Sequence, residues 1–350
     1  MDREKVRAFM EQFMGMTTNA ALLAVTEVAG RTGLLSTLAG RGPLALRTIA
    51  TESGLHERYL RETLSALAAG GILQYDPAGE TFELTPEVAA CLADEKSPFF
   101  LGGWTQFLPA VYRAIPGVAR AMREGGGVSY AEFGSEAVEA IDRANSPGMR
   151  VLLTRKWLPS LPDVVKRLEQ GARVADIGCG SGTSTLTLAK AYPRSEITGY
   201  DIDGTALARA RSAAEREGLA NAHFEQRSAE DLPQEPRLDL VTAFDVVHDL
   251  ARPRAVLRRI REALAPEGTF FLVEPAAGDS LAENLGSAGA LLYSISTLYC
   301  MTVSLSQGGE GLGAAYGPKR AEALCREAGF ASFRRLDVDN PFNAFYEVRP

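Results

Sequence analysis

From residue 172 onward, short apolar runs alternate with segments of helical period. Val174 to Ile177 reads as a strand, Thr183 to Ala191 as a helix, and Glu196 to Asp201 as a strand. An alanine-rich helix follows near Gly204 to Glu217, then a short strand at His223 to Gln226 and another at Leu238 to Phe244. Strands separated by helices predict an open α/β sheet. Upstream the pattern differs. Thr18 to Leu38 reads as a helix with apolar Leu22, Leu23, Val25, Val28, Leu34 and Leu35, broken by Gly30 and Gly33. Pro43 to Ala50 is a second helix, Ser53-Gly54 a turn, and His56 to Ala69 a third helix. Ile72 to Tyr75 and Thr81 to Leu84 then flank an Asp76-Pro77-Ala78-Gly79 turn as a hairpin. Helix, turn, helix and hairpin together make a winged helix.

Three segments follow: a winged-helix unit over 1–95, connecting helices over 96–168, and an α/β unit over 169–350. The connecting zone carries Phe99, Phe100, Leu101, Trp104, Phe107, Leu108, Val111 and Tyr112 at helical spacing, and Met122 to Gly127 reads as its one mobile stretch. Near the C-terminus, Leu291 to Cys300 is an apolar helix bearing Tyr293 and Tyr299. Ser306 to Gly313 is a glycine-rich loop suited to a lid or an interdomain contact.

The chemistry concentrates after the first strand of the α/β unit. Gly178, Gly180 and Gly182 follow Asp176, and a turn of this kind lets backbone approach a ligand that side chains would block. A dinucleotide loop requires its third glycine three residues after the second, where Thr183 stands, so the spacing disfavours NAD. Asp201 ends the next strand about 20 residues beyond the glycines, the place of a ribose-binding acid.

The ordered segments VADIGCGSG, GYDID, RSAEDLP, LDLVTAFDVVHDL and LAPEGTFFLVEP, spread over residues 172 to 275, resemble the motif set of class I S-adenosylmethionine-dependent methyltransferases. The resemblance implies a Rossmann-like sheet of seven strands, the last antiparallel, with Phe333–Asp339 and Phe342–Val348 as the closing antiparallel pair. It also implies S-adenosyl-L-methionine as cofactor, with Asp176, Gly178, Gly180 and Gly182 at its methionine end and Asp201 on its ribose hydroxyls. Ile202 would lie on one adenine face, Ala229 and Glu230 at the adenine edge, and Phe244 near the cofactor. With its winged-helix N-terminus, the chain is similar to small-molecule O-methyltransferases of plants and actinobacteria. That similarity implies a homodimer, with the helix at Ala20 to Leu35 as one contact surface. In those enzymes the middle zone lies over the cofactor cleft, which makes Tyr130, Phe133 and Trp157, with Tyr293 and Tyr299, candidates for the substrate pocket. Plain core packing is the equal alternative for the middle three.

Charge narrows the partners. Residues 1–95 hold 13 acidic and 8 basic side chains, a net of −5 within the whole chain's −7, the wrong sign for phosphate contact. No nucleic-acid partner is expected, which weakens the competing reading of a winged-helix regulator that keeps the cofactor domain as a sensor. The N-terminus lacks a signal-peptide core, and no apolar run is expected to span a bilayer. Four cysteines, at 91, 179, 300 and 325, show no metal or pairing pattern. They read as free thiols of a cytoplasmic protein with no assigned metal site.

The expected reaction is methyl transfer to a small apolar or aromatic acceptor, at oxygen in preference to carbon or nitrogen. In-line displacement at a sulfonium needs chiefly proximity and exclusion of water. A base helps when the acceptor must lose a proton. His248 stands just past the strand Leu238–Phe244, at the strand end where such sheets bind ligands. The pair His248-Asp249 is similar to the His-Asp of plant-type O-methyltransferases, which implies His248 as base, although Leu250 replaces the tryptophan of that family. A metal-ligand role and a hydrogen-bonding role at a helix start remain alternatives for His248. Asp245 is the second catalytic candidate, either on the cofactor's amino end or orienting the base.

Overall fold

A computed structural model describes residues 1–235 and 237–350. The chain divides into two compact units, one of Met1–Ala110 with Glu136–Pro147, the other of Val111–Ser135 with Gly148–Pro350. Residues 96–168 are thus no separate segment. The chain passes from the first unit to the second, back and out again.

In the first unit α1 (Arg3–Arg31) starts at Asp2, whose carboxylate accepts hydrogen bonds from the amides of Glu4 and Lys5. It therefore begins fifteen residues before the expected Thr18. Gly33, at φ 72°, separates α1 from α2 (Leu34–Leu38). Next come β1 (Leu44–Ala45), α3 (Leu46–Ser53) and α4 (Glu57–Ala69). Strands β2 (Gln74–Asp76) and β3 (Thr81–Glu83) form the hairpin, and α5 (Pro86–Leu92) follows. The Asp76 carboxylate closes the hairpin turn by accepting from the amides of Ala78 and Gly79. Leu34, Leu35, Leu38, Ile49, Leu60 and Leu64 are all buried in this unit's core. Leu34 and Leu35 are therefore core residues, not the contact surface expected of Ala20–Leu35. Exposed apolar side chains on α1 lie mainly upstream, at Phe9, Met10, Phe13, Met14 and Met16, with Val28 further on.

Helices α6 (Gly102–Tyr112), α7 (Ile115–Glu124) and α8 (Tyr130–Leu152) follow, the last broken at Gly134 (φ 71°). Residues 122–127 do not form a loose linker. Helix α7 runs through Glu124, Gly127 packs so closely that a Cβ would meet the Thr302 carbonyl, and the Val128 amide donates to Thr302 Oγ1 at 2.9 Å.

The second unit continues with α9 (Pro162–Gln170), β4 (Arg173–Ile177), α10 (Thr183–Ala191) and β5 (Glu196–Asp201). After these come α11 (Gly204–Glu217), β6 (Ala222–Gln226), β7 (Leu238–Phe244), α12 (Pro253–Ala263) and β8 (Leu264–Pro275). It ends with α13 (Ser287–Ile295), α14 (Met301–Ser306), α15 (Gly317–Glu327), β9 (Ser332–Arg335) and β10 (Asn343–Arg349). The seven-stranded sheet has the order β6-β5-β4-β7-β8-β10-β9. Strands β6, β5, β4, β7 and β8 are mutually parallel, and β10 lies antiparallel to both β8 and β9. The expected antiparallel finish is present, with β9 shorter than Phe333–Asp339. Both faces are covered. Val241, Ile260 and Phe270 pack on one side, Leu168, Leu188 and Phe271 on the other, which explains why the parallel strands read as unbroken apolar runs.

Helices α13 and α14 join through a π-helical turn, Ser296–Cys300, into one helical run, Ser287–Ser306. By length and composition this run could cross a membrane, contrary to the sequence expectation. Its Ile295, Tyr299, Cys300 and Val303 are instead buried in this unit.

Candidate active site

The glycine turn after β4 is built by its glycines. Gly178, Gly180 and Gly182 have φ of 65°, 53° and 84°, in the left-handed region where a Cβ is costly. A Cβ on Gly178 would strike Val246 and one on Gly182 would strike Phe224 and Ala210, whereas one on Gly180 would enter open space. The first and third glycines therefore serve packing, and the second leaves backbone open to a ligand.

Asp176 has a different visible role from the ligand contact expected of it. It is fully buried. Its carboxylate accepts hydrogen bonds from Ser184 at 2.5 Å, Thr185 at 2.7 Å and Thr242 at 2.7 Å, which ties β4 to α10 and β7. Burial pushes its pKa up, against the three hydroxyl donors that lower it.

Asp201 accepts from the amides of Gly180 and Asp203, each at 2.8 Å. These bonds fix its carboxylate beside the turn with acceptor capacity to spare for a diol. Ile202 next to it is 64% exposed, an apolar surface facing solvent. The three-residue turn Ala229–Asp231 carries the other two nucleoside candidates, and Glu230 is held by Arg252, whose Nε lies 2.8 and 3.0 Å from its carboxylate oxygens. Phe244 is buried against Trp157 and Phe271, with ring centroids at 6.4 and 5.9 Å. A turn open at Gly180, a diol-ready carboxylate and an exposed apolar neighbour fit an adenosyl group.

At the far end of β7 a charged cluster forms. His248 is buried, and its Nδ1 lies 2.7 Å from Oε2 of Glu274, itself buried at the end of β8. The other Glu274 oxygen accepts from the Val247 amide at 2.8 Å, which locks the carboxylate in place. The Nε2 of His248 faces Oδ1 of Asp249 at 3.3 Å. Burial opposes a charged imidazole, yet Asp249 and Glu274 outweigh it and hold the His248 pKa well above its ordinary value. Asp245 sits at φ 55°, uncommon for a side-chain-bearing residue, and its Oδ1 accepts from Asn343 Nδ2 at 2.8 Å. Burial raises its pKa to about 7, although the His248 charge and the Asn343 hydrogen bond pull it down.

The expected pocket aromatics take three separate placements. Tyr130 and Phe133 meet Tyr299, with ring centroids at 6.2 and 4.8 Å, and Asp201 and Asp249 both act electrostatically on Tyr130. Tyr130 is thus within electrostatic reach of both the ribose-type carboxylate and Asp249 of the histidine cluster. Trp157 packs instead in the core against Phe244 and Phe345 at tilted ring angles, its indole Nε1 buried without a hydrogen-bond partner. Tyr293 is apart from the trio, its hydroxyl accepting from Asn284 Nδ2 at 3.2 Å. The glycine-rich loop is pinned. The Gly313 amide donates to the His248 carbonyl, the Glu310 amide to the Ala251 carbonyl, and Ser304 Oγ to the Leu250 carbonyl. It buttresses the histidine turn, a role unlike that of a free lid.

Sequence reasoning assigned no role to Glu274, Asn343 or Cys300. Glu274 had a usable signal, an acid closing an apolar strand at the sheet edge where ligands bind. Asn343 and Cys300 had none, because each reaches the cluster from a distant part of the chain.

Residues 168–327 match the methyltransferase domain family, and residues 20–94 match the Rv2258c-like winged helix-turn-helix domain. Acetylserotonin O-methyltransferase of Mus musculus is 27% identical over 340 residues, covering 89% of this chain and 81% of that protein. In two other curated relatives, aligned over 102 and 104 residues, the chain spans only 24% and 38% of the relative's length. Human N-acetylserotonin methyltransferase in complex with its S-adenosylmethionine cofactor superposes with a TM-score of 0.73 at 20% identity, over 97% of each chain. Mitomycin 7-O-methyltransferase superposes with a TM-score of 0.74 at 19% identity, over 100% of each chain. At such identities the likeness establishes the fold.

Proposed function

We propose that this chain, an S-adenosylmethionine-dependent class I methyltransferase with an N-terminal winged-helix domain, methylates a hydroxyl group of a small apolar or aromatic molecule. The observation that carries the reading is the His248–Glu274 pair at the strand ends. Glu274 engages Nδ1 at 2.7 Å and so leaves Nε2, which faces Asp249 at 3.3 Å, as the ring nitrogen that serves the acceptor.

The bound cofactor supplies an activated methyl group on a sulfonium. The chain's own residues do the rest. Backbone at Gly180 would lie against the methionine end, Asp201 would accept from the ribose hydroxyls, and Ile202, Ala229 and Glu230 would border the adenine. Phe244 backs the site from the core. Asp249 and Glu274 hold the His248 pKa above its ordinary value, so this step runs on the neutral-imidazole fraction, which grows as pH rises: its Nε2 takes the proton of the acceptor hydroxyl as that oxygen becomes nucleophilic, and Glu274 stabilises the imidazolium that results. The proton then leaves His248 for solvent. Asp245, held by Asn343, adds negative charge beside the imidazolium and supports the same step. Tyr130, Phe133 and Tyr299 form an apolar wall that holds the acceptor and keeps water out. Two mouse and human relatives named for methylating N-acetylserotonin support a small aromatic acceptor. The working form we propose is a homodimer joined through the exposed apolar side chains of α1.

The test is a screen of phenols and hydroxyindoles with labelled S-adenosylmethionine. Transfer of label to oxygen in at least one acceptor is the expected result. Binding of S-adenosylhomocysteine without transfer to any hydroxyl, but with transfer to a carbon or nitrogen, would overturn the choice of acceptor atom.

A further inference from the structure

Cys300 ends the π-helical turn Ser296–Cys300, where an extra residue in the turn rotates the following side chains relative to a regular helix. The turn brings its thiol to the histidine cluster: a nitrogen of His248, a carboxylate oxygen of Asp249 and Sγ of Cys300 all lie within 4.8 Å of one another. Three further observations give this trio the makings of a metal site. First, Nδ1 of His248 is engaged by Glu274, the outer carboxylate that commonly fixes a metal-binding imidazole with its other nitrogen facing the ion. Second, Oδ1 of Asp249 is buried and turned into the cluster, where its polar neighbours are Nε2 of His248 at 3.3 Å and the Cys300 thiol. Third, a tetrahedral ion with nitrogen and oxygen ligands at about 2.0–2.2 Å and sulfur at about 2.3 Å needs ligand atoms roughly 3.3–3.8 Å apart, and the three atoms of the cluster are no more than 4.8 Å apart.

We propose that His248, Asp249 and Cys300 bind a zinc-class divalent ion, and that its binding turns methyl transfer off. Mixed nitrogen, oxygen and thiolate donors select such an ion over magnesium or calcium. On binding, the Cys300 thiol and the Nε2–H of the charged His248 ring each release a proton to solvent; the sulfur then bonds the ion as thiolate and Nε2 donates its freed lone pair to the metal. That lone pair can no longer take a proton from an acceptor hydroxyl. The inhibitory consequence rests on the function proposed above, but the site itself does not.

The experiment is a titration of the whole protein with cobalt(II), followed by zinc. Wild type should take up one cobalt per chain with a thiolate-to-cobalt charge-transfer band, which zinc abolishes by displacement. Cys300→Ser and Cys300→Ala, each checked for native melting, should lose the band. Lack of the band in wild type, or its persistence in both folded variants, overturns the site. With an acceptor in hand, zinc should slow the wild type more than tenfold and the Cys300 variants less than twofold. Equal slowing of all three overturns the inhibitory role. If no hydroxyl acceptor is ever methylated, the proposed function fails while the cobalt band still decides the site.

Discussion

Glu274 and His248 are joined by a 2.7 Å contact between two buried side chains on the ends of neighbouring strands, β8 and the turn after β7. His248→Ala should lower the rate of the methyl-transfer step by about 10²–10⁴, the usual contribution of a general base. Glu274→Gln should give a smaller loss, because the amide keeps the ring oriented without stabilising its charge. Single-turnover kinetics with calorimetry on S-adenosylhomocysteine is the check, and cofactor affinity should stay near wild type in both. A fall of less than tenfold for His248→Ala removes the base.

Gly180 and Gly182 should respond differently to alanine. Both have positive φ, which costs roughly 1–2 kcal/mol for a residue with a Cβ. At Gly182 the new methyl also meets Phe224 and Ala210, so Gly182→Ala should show the larger fall in melting temperature. At Gly180 the methyl enters open space, so Gly180→Ala should melt closer to wild type yet bind S-adenosylhomocysteine at least tenfold more weakly. Equal affinity in wild type and Gly180→Ala would mean that the ligand does not pass there.

Asp201→Asn should weaken adenosyl binding by about 1.5–3 kcal/mol, the range for hydrogen bonds to a charged group. That corresponds to roughly tenfold to hundredfold in Kd. A 2′-deoxy analogue should lose much less on the variant than on wild type, since the contact to its hydroxyl is already weakened. Similar losses on both proteins would detach Asp201 from the ribose.

Glu347 anchors the last strand through Arg334 and Arg349, at 2.5 and 2.6 Å. Burial raises its pKa, but the two guanidinium groups outweigh this and hold it below its ordinary value of 4.5. A depressed carboxylate contributes stability that is fully present above the unfolded pKa and is lost as pH falls through the folded one. Glu347→Gln should therefore cost roughly 1–3 kcal/mol at pH 7 and progressively less below about pH 4.5. Denaturant unfolding across pH 3–7 measures the convergence, and a constant difference would show that charge is not the cause.

Phe9 and Phe13 lie 6.2 Å apart, ring to ring, and both are largely exposed on α1. Phe9→Asp with Phe13→Asp should shift a dimer to monomer in sedimentation velocity while leaving the melting of the monomer unchanged. Wild-type sedimentation as a monomer at micromolar concentration would end the dimer proposal.

Local patterns carried the α/β order, the winged helix and the glycine turn, because strand period, helix period and positive-φ glycines are properties of neighbouring residues. The place of Asp201 beside the turn was legible for the same reason, as an acid closing a strand at a set distance from the glycines. Partnership between distant residues was not. Asp176 is taken up by Ser184, Thr185 and Thr242, and Trp157 by the aromatic core around Phe244 and Phe345. Glu274, Cys300 and Asn343 converge on the His248 turn from 26, 52 and 95 residues further along the chain. The local sequence around each of them is the same whether or not that meeting occurs. Which groups share one buried space, and so set one another's charge, is decided only when strands β7, β8 and β10 lie side by side.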